Sequence, residues 1–169
     1  MHFKRARAGF TLIELIVVMA IMGILIAATA STFQNSRIKG KDAKRKSDLK
    51  QIQSALEAYI GDHGLYPVST AGVITACGDG TAVCSWGSAF KDENGTVYMA
   101  KVPIDSDYPT FSYEYFVSSD RKQYQLFAYL EDSNDPDLHT YTGKNCPDAN
   151  HVCNYGISST NTTPTATLP

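Results

Sequence analysis

The hydrophobic and polar positions of this chain change pattern three times. From Phe10 to Ala30 the sequence reads FTLIELIVVMAIMGILIAATA, 21 residues in which only Thr11, Glu14 and Thr29 are polar. An apolar run without a polar face predicts a helix covered on all sides. At ~1.5 Å per residue it is about 31 Å long, which matches a hydrocarbon core of ~30 Å. From Arg37 to Ile60 the pattern narrows to a stripe: Leu49, Ile52, Leu56, Tyr59 and Ile60 recur at spacings of three and four. This stripe predicts a second helical stretch with one buried face, continuous with the first and ending where Gly64 can cap it and Pro67 cannot extend it. Beyond Pro67 the periodicity becomes that of loops and strands. Residues 68 to 94 are rich in Gly, Ser, Thr and Ala, and strands are expected over Gly95–Val102, Phe111–Ser118 and Gln123–Glu131, with Ser119–Lys122 as a hairpin turn. Phe111, Tyr113, Tyr115 and Val117 alternate with Ser112, Glu114 and Phe116, so one face of that strand should lie on the helix. The fold class expected is α+β, a long N-terminal α-helix packed on a small antiparallel β-sheet.

Composition alone suggests an ordinary soluble domain: 169 residues, 43% hydrophobic, 19% charged and a net charge of −2. Its distribution changes that picture. Lys4, Arg5 and Arg7 make the first nine residues basic, and Glu14 is the one charge between Phe10 and Ser36. Arg37, Lys39, Lys41, Lys44, Arg45, Lys46 and Lys50 then form a basic collar against Asp42 and Asp48, while the remaining 119 residues hold five bases and fourteen acids. The near-neutral total is thus a cancellation of unequal parts. The eleven Phe, Leu, Ile and Val residues of the apolar run favour insertion by roughly 3 to 7 kcal/mol, against on the order of 3 kcal/mol for a central acid. Glu14 lies near the end of the run, so insertion wins. A cleaved secretory signal is the competing reading, with Ala28-Thr29-Ala30 as its cleavage site, but the run is longer than a usual h-region and contains an acid.

Arg7-Ala8-Gly9-Phe10-Thr11-Leu12-Ile13-Glu14 joins a basic leader ending in glycine to an aromatic residue, with an acid four positions later. In this arrangement the chain resembles the type IV pilin and type II secretion pseudopilin family. The resemblance implies cleavage between Gly9 and Phe10 by a membrane-embedded prepilin peptidase, N-methylation of Phe10, and assembly into a filament through the retained apolar helix. An unpaired carboxylate in lipid is costly, so Glu14 should meet a cation, and the new amine of Phe10 on a neighbouring subunit is the nearest candidate. A head-to-tail contact that does not close gives such a fibre. Gly23 falls where the family has a helix-weakening glycine, but Ser31 stands where the family has a proline, so no sharp kink is expected.

The resemblance further implies, as partners, identical or related pilin subunits, prepilin peptidase, the lipid bilayer, and an inner-membrane assembly platform with its ATPase. It places the head outside the cytoplasm, first on a single-pass membrane anchor and then in an extracellular or periplasmic filament. The seven bases after the span oppose this orientation under the positive-inside rule, so the collar needs its own account. It is either a solvated helix face or a surface that compensates the acidic heads of neighbouring copies. Nucleic-acid capture is not favoured, because packed heads would cover these bases.

Cys77, Cys84, Cys146 and Cys153 are an even set in a chain expected to be exported, which suggests two disulfides. Local pairing is the simplest of three connectivities, and zinc, with His151, is the rival. Asp132, Asn134, Asp135 and Asp137 group oxygen ligands where the resemblance to the major pseudopilins allows calcium, although an EF-hand glycine and distal glutamate are missing. A solvated acidic turn is the simpler alternative. No other cofactor is expected. His2, His63, His139 and His151 are scattered, and no phosphate-binding glycine loop, nucleophile elbow or zinc-protease motif occurs, so no enzymatic activity is expected. The organisation expected is a leader over 1–9, a transmembrane helix over 10–30, the soluble half of the long helix over 31–62, a head over 63–157 and a disordered tail over 158–169. The contrasting class is a membrane-anchored surface binding protein or enzyme that uses a signal-anchor helix.

Overall fold

The structure is a computed structural model that describes residues 9–78, 80–146 and 151–165, with the side chains of residues 28–32 left out. The leader bases Lys4, Arg5 and Arg7, the side chains of the alternative cleavage site at 28–30, Ser31 and the last four residues of the tail lie outside the described residues. Helix α1 runs from Leu12 to His63 without interruption, through Gly23 and Gly40. It ends as its sequence requires: Gly64 takes a positive φ of 75° and donates its N–H to the Ile60 carbonyl at 2.7 Å, a left-handed cap open to glycine at little cost. The chain divides into two compact units, Met1–Ile38 and Lys39–Pro169.

Within the second unit, α1 lays its stripe on three small antiparallel sheets. The first contains β1 (Val68–Thr70), β2 (Val73–Cys77) and β3 (Ala82–Val83) in that order. A two-residue turn of Ala71 and Gly72, both at positive φ, joins β1 to β2, and a side chain at Gly72 would run into the Glu114 carboxylate. The second sheet pairs β4 (Phe90–Lys91) with β5 (Val97–Met99). Strands β1 to β4 interrupt the loop-like stretch over 68 to 94, because short strands among Gly and Ser carry little periodicity, and β5 falls within the strand expected over Gly95–Val102.

The third sheet has the order β6 (Glu114–Val117), β7 (Tyr124–Ala128) and β8 (Tyr155–Ser158). Glu114 faces Phe127 and Val117 faces Tyr124, so the hairpin turn falls at the expected Ser119–Lys122. Strand β7 is buried along its whole length. Tyr124, Leu126 and Ala128 join Leu49, Ile52, Leu56, Tyr59, Tyr113 and Tyr115 in the main core, whereas Phe127 packs with Tyr141 and the Cys146–Cys153 pair on the opposite face. The second layer explains why β7 does not alternate with solvent.

Strand β8 closes the expected head, and the described residues after it, 159–165, are hydrogen-bonded although they fall in the tail expected to be disordered over 158–169. Gln125 donates Nε2 to the Thr163 carbonyl at 2.9 Å, Ser158 Oγ donates to the Thr162 carbonyl at 2.8 Å, and Asn161 Nδ2 donates to the Lys122 carbonyl at 3.1 Å. Ser, Thr and Asn here bond to Gln125, to the hairpin turn and to one another instead of remaining solvated.

Candidate functional site

In the first unit, the apolar run is exposed. Phe10 is 92% exposed, and Ile13, Ile16, Met19, Met22, Ile24 and Ile26 are all exposed as well. Among the described residues no helix is long and apolar enough to cross a membrane. The described side chains of the run stop at Ala27, short of the full stretch from Phe10 to Ala30.

Glu14 has a local role that charge alone does not suggest. Its Oε2 accepts the Thr11 backbone N–H at 2.8 Å and the Thr11 hydroxyl at 2.7 Å, and the Glu14 N–H donates back to Thr11 Oγ1 at 3.3 Å. Thr11-x-x-Glu14 is therefore a capping box: two otherwise unsatisfied donors at the helix start are paired reciprocally. The threonine and glutamate at this spacing were a legible signal that the sequence reasoning missed. Phe10, Ile13, Glu14, Val17 and Val18 line a shallow hollow of about 330 Å³ on this stretch. Gly9 is exposed, and a side chain there would meet nothing within 4 Å. Among the described residues nothing demands a glycine at that position.

In the second unit the basic collar turns inward. Arg45 is fully buried and all five of its N–H donors are used. Nε and Nη2 take Asp105 at 2.7 and 3.2 Å, Nη1 takes Asp42 at 2.7 Å and Glu131 at 2.8 Å, and Nη2 also takes Asp107 at 2.8 Å. Phe111 covers the guanidinium at 5.0 Å. Burial works against the charge on Arg45, but the bonds to Asp105, Glu131 and Asp42 outweigh it and its pKa is raised. Lys41 completes the node on Asp107 at 2.8 Å, holding that carboxyl below its ordinary range. Asp42 also accepts the backbone N–H groups of Glu131 and Asp132. The node thus ties loops 105–107 and 131–132 to α1.

This arrangement divides the collar in two. Arg37, Lys39, Lys44 and Lys50 are exposed, as a solvated face requires, whereas Lys41, Arg45 and Lys46 are held by acids of their own chain at 2.7 to 2.8 Å. Asp42 lies one helical turn from Arg45, but Asp107 and Asp135 reach Lys41 and Lys46 only through folding, at a sequence distance no charge count can see. Positions 42, 45, 49, 52, 56 and 59 step by three and four, so the buried stripe continues through Asp42 and Arg45.

The cysteines form the two local pairs, Cys77–Cys84 and Cys146–Cys153, and none remains free among the described residues. They are therefore unavailable as zinc thiolates. The acidic loop of Asp132, Asn134, Asp135 and Asp137 does not fit calcium. Lys46 Nζ lies 2.7 and 2.8 Å from the two oxygens of Asp135 and 2.7 Å from Asp137 Oδ2, so the chain's own ammonium occupies those ligands. Asp132 Oδ1 accepts the Asn134 N–H, and among the described residues no group of three or more His, Cys, Asp or Glu could hold a metal.

An apolar helix that begins at a capped acid, joined to a disulfide-closed α+β head, defines the class of pilin-like filament subunits. The family model for the prokaryotic N-terminal methylation motif matches residues 4–30. The type II secretion system core protein G of Pseudomonas aeruginosa is 32% identical over 102 residues, which are 60% of this chain and 69% of that protein. The core protein G of Aeromonas hydrophila is 34% identical over 70 residues, 41% of this chain and 49% of that protein. The type IV major pilin protein PilA of Myxococcus xanthus is 34% identical over 65 residues, 38% of this chain and 30% of that pilin. No solved structure matches. The chain belongs to the type IV pilin and type II secretion pseudopilin family.

Proposed function

We propose that the chain is made as a precursor, cut between Gly9 and Phe10 by prepilin peptidase, N-methylated on Phe10, and assembled with identical or related subunits into a type IV pilus-like or type II secretion filament. The observation that carries this reading is the exposure of the apolar run around a single acid, Glu14. A helix apolar on every side needs lipid before assembly and other helices after it. Gly9 supports the cut, since among the described residues nothing needs glycine there and a protease approaching the backbone does.

Glu14 would serve twice. In the single chain its Oε2 caps the helix through Thr11, and in the filament the carboxylate would meet the Phe10 amine of a neighbour, fixing the axial register. The cap orients the acid before assembly. The two disulfides support a head outside the cytoplasm, because such bonds persist in oxidising compartments. The anchor would be Phe10 to Ala30 in the cytoplasmic or inner membrane, and the assembly platform and its ATPase would extract the subunit from there. The role is structural and assigns no catalysis to any residue. Co-expression with the peptidase and assembly machinery, followed by shearing and electron microscopy, tests it: the chain should be recovered in filaments, and a chain that stays wholly in the membrane fraction would refute the proposal.

A further inference from the structure

We propose that Lys46 is a built-in cation: it stands where a divalent ion would stand in the 132–137 loop, so the head closes this loop on α1 without metal. The ammonium has three N–H donors, and three carboxylate oxygens of Asp135 and Asp137 lie within 2.8 Å of it. The site is therefore saturated by a group that cannot diffuse away. Tyr155 lies against the same ammonium, its ring centroid 5.3 Å from Nζ, and Lys39 approaches Asp132 at 4.0 Å.

The loop's backbone is organised around these carboxylates. Asp135 accepts the Asp137 N–H at 2.9 Å, Asp132 accepts the Asn134 N–H at 3.0 Å, and the Asp135 N–H returns to the Asp132 carbonyl at 3.1 Å. Calcium takes six to eight oxygens at about 2.3 to 2.6 Å. To enter here it would have to displace Lys46 and sit beside the displaced charge. A metal bound by the loop alone would also leave Asp135 and Asp137 without a bond to the helix, whereas Lys46 joins segments 89 to 91 residues apart. Burial opposes the charge on Lys46, but the bonds to Asp135 and Asp137 more than offset it and raise its pKa. The ammonium therefore remains charged across the neutral range. This inference concerns the head alone and does not depend on the filament reading.

The test is thermal unfolding of the full chain in detergent micelles, followed by Trp86 fluorescence, in EDTA and in millimolar calcium. The wild type should give one Tm in both media. Lys46→Met should melt lower in EDTA by several degrees, on the order of 3 to 8 °C. A wild-type Tm that rises saturably with calcium would overturn the proposal, as would a Lys46→Met chain that melts in EDTA with the wild type. Calorimetric titration of wild type with calcium keeps the question open to refutation should the variant not fold: no saturable heat is expected, and stoichiometric binding abolished by Asp135→Asn would contradict the inference.

Discussion

Arg45 holds Asp105 through two parallel hydrogen bonds, Nε to Oδ2 at 2.7 Å and Nη2 to Oδ1 at 3.2 Å, between two side chains that are each about 1% exposed. This fork fixes a loop to the helix in a geometry that a lysine cannot reproduce. Removing one member of a buried ionic group costs about 3 to 5 kcal/mol, because the other charges lose their counter-ion. Arg45→Ala should therefore destabilise the head by about that amount. Arg45→Lys should recover only part of it, since an ammonium has three donors for four carboxylates. Denaturant unfolding checks both, and a loss of under about 1 kcal/mol in Arg45→Ala would show that the node matters little.

The two roles assigned to Glu14 can be separated. Glu14→Gln keeps a side chain able to complete the capping box but removes the charge, whereas Thr11→Ala removes the cap and keeps the charge. If charge sets the register, Glu14→Gln should lose filaments as fully as Glu14→Ala, and Thr11→Ala should only reduce their number. Counts of sheared fibres decide this; normal filaments from Glu14→Gln would leave the carboxylate with a capping role alone.

How much of this was legible in the sequence depended on the range of the interaction. The stripe of Leu49, Ile52, Leu56 and Tyr59, the Gly64 cap and the local cysteine pairs are short-range features, and the structure has them where residue spacing predicts. The inward roles of Arg45 and Lys46 were not legible because, Asp42 apart, their partners lie 60 to 91 residues away, and charge patterning along a chain cannot anticipate such pairs. The hydrogen bonds of residues 159–165 were not legible because Ser, Thr and Asn that bond to a distant strand resemble those of a solvated tail. The capping box at Thr11 and Glu14 was legible and was passed over in favour of the acid's charge.

Internal neutralisation of the collar bears on the filament. Five of its seven bases have acidic partners in the same chain, so little charge is left for neighbouring heads. Filaments should then remain intact from low salt to about 1 M, where screening reduces the Debye length to ~3 Å. Sedimentation across that range measures it, and dissolution at high salt would restore compensation between subunits as the main contact.

The pH response of the head should have two opposing parts. Burial raises the Glu114 pKa to about 7, although Lys144 and Ser112 act to lower it. A folded-state pKa above the unfolded value means that the native state binds the extra proton, so this contribution is present at acid pH and is lost as pH rises from the ordinary carboxylate range through about 7. Asp107 and Asp135 are lowered, chiefly by their hydrogen bonds to Lys41 and Lys46, and their contribution is lost instead as pH falls below the ordinary carboxylate range. Glu114→Gln should gain stability relative to wild type as pH rises from about 5 to 8. Parallel melting curves across that window would refute the assignment.

Each disulfide closes a short ring, and losing one should cost roughly 2 to 3 kcal/mol in the entropic account. Both pairs are also packed in apolar clusters, Cys77–Cys84 in the main core and Cys146–Cys153 with Phe127 and Tyr141, so each double serine variant should lose packing as well as ring closure. Urea unfolding of the two variants tests this, and losses no larger than ring closure alone predicts would argue that packing around the cysteines adds nothing.

The mature N-terminus tests the central claim most directly. Intact-mass and peptide mass spectrometry of chain purified from cells containing the peptidase should find residue Phe10 first, carrying one added methyl group. A chain beginning at Met1, or one beginning at Ser31 after loss of the apolar run, would contradict the account of a processed filament subunit.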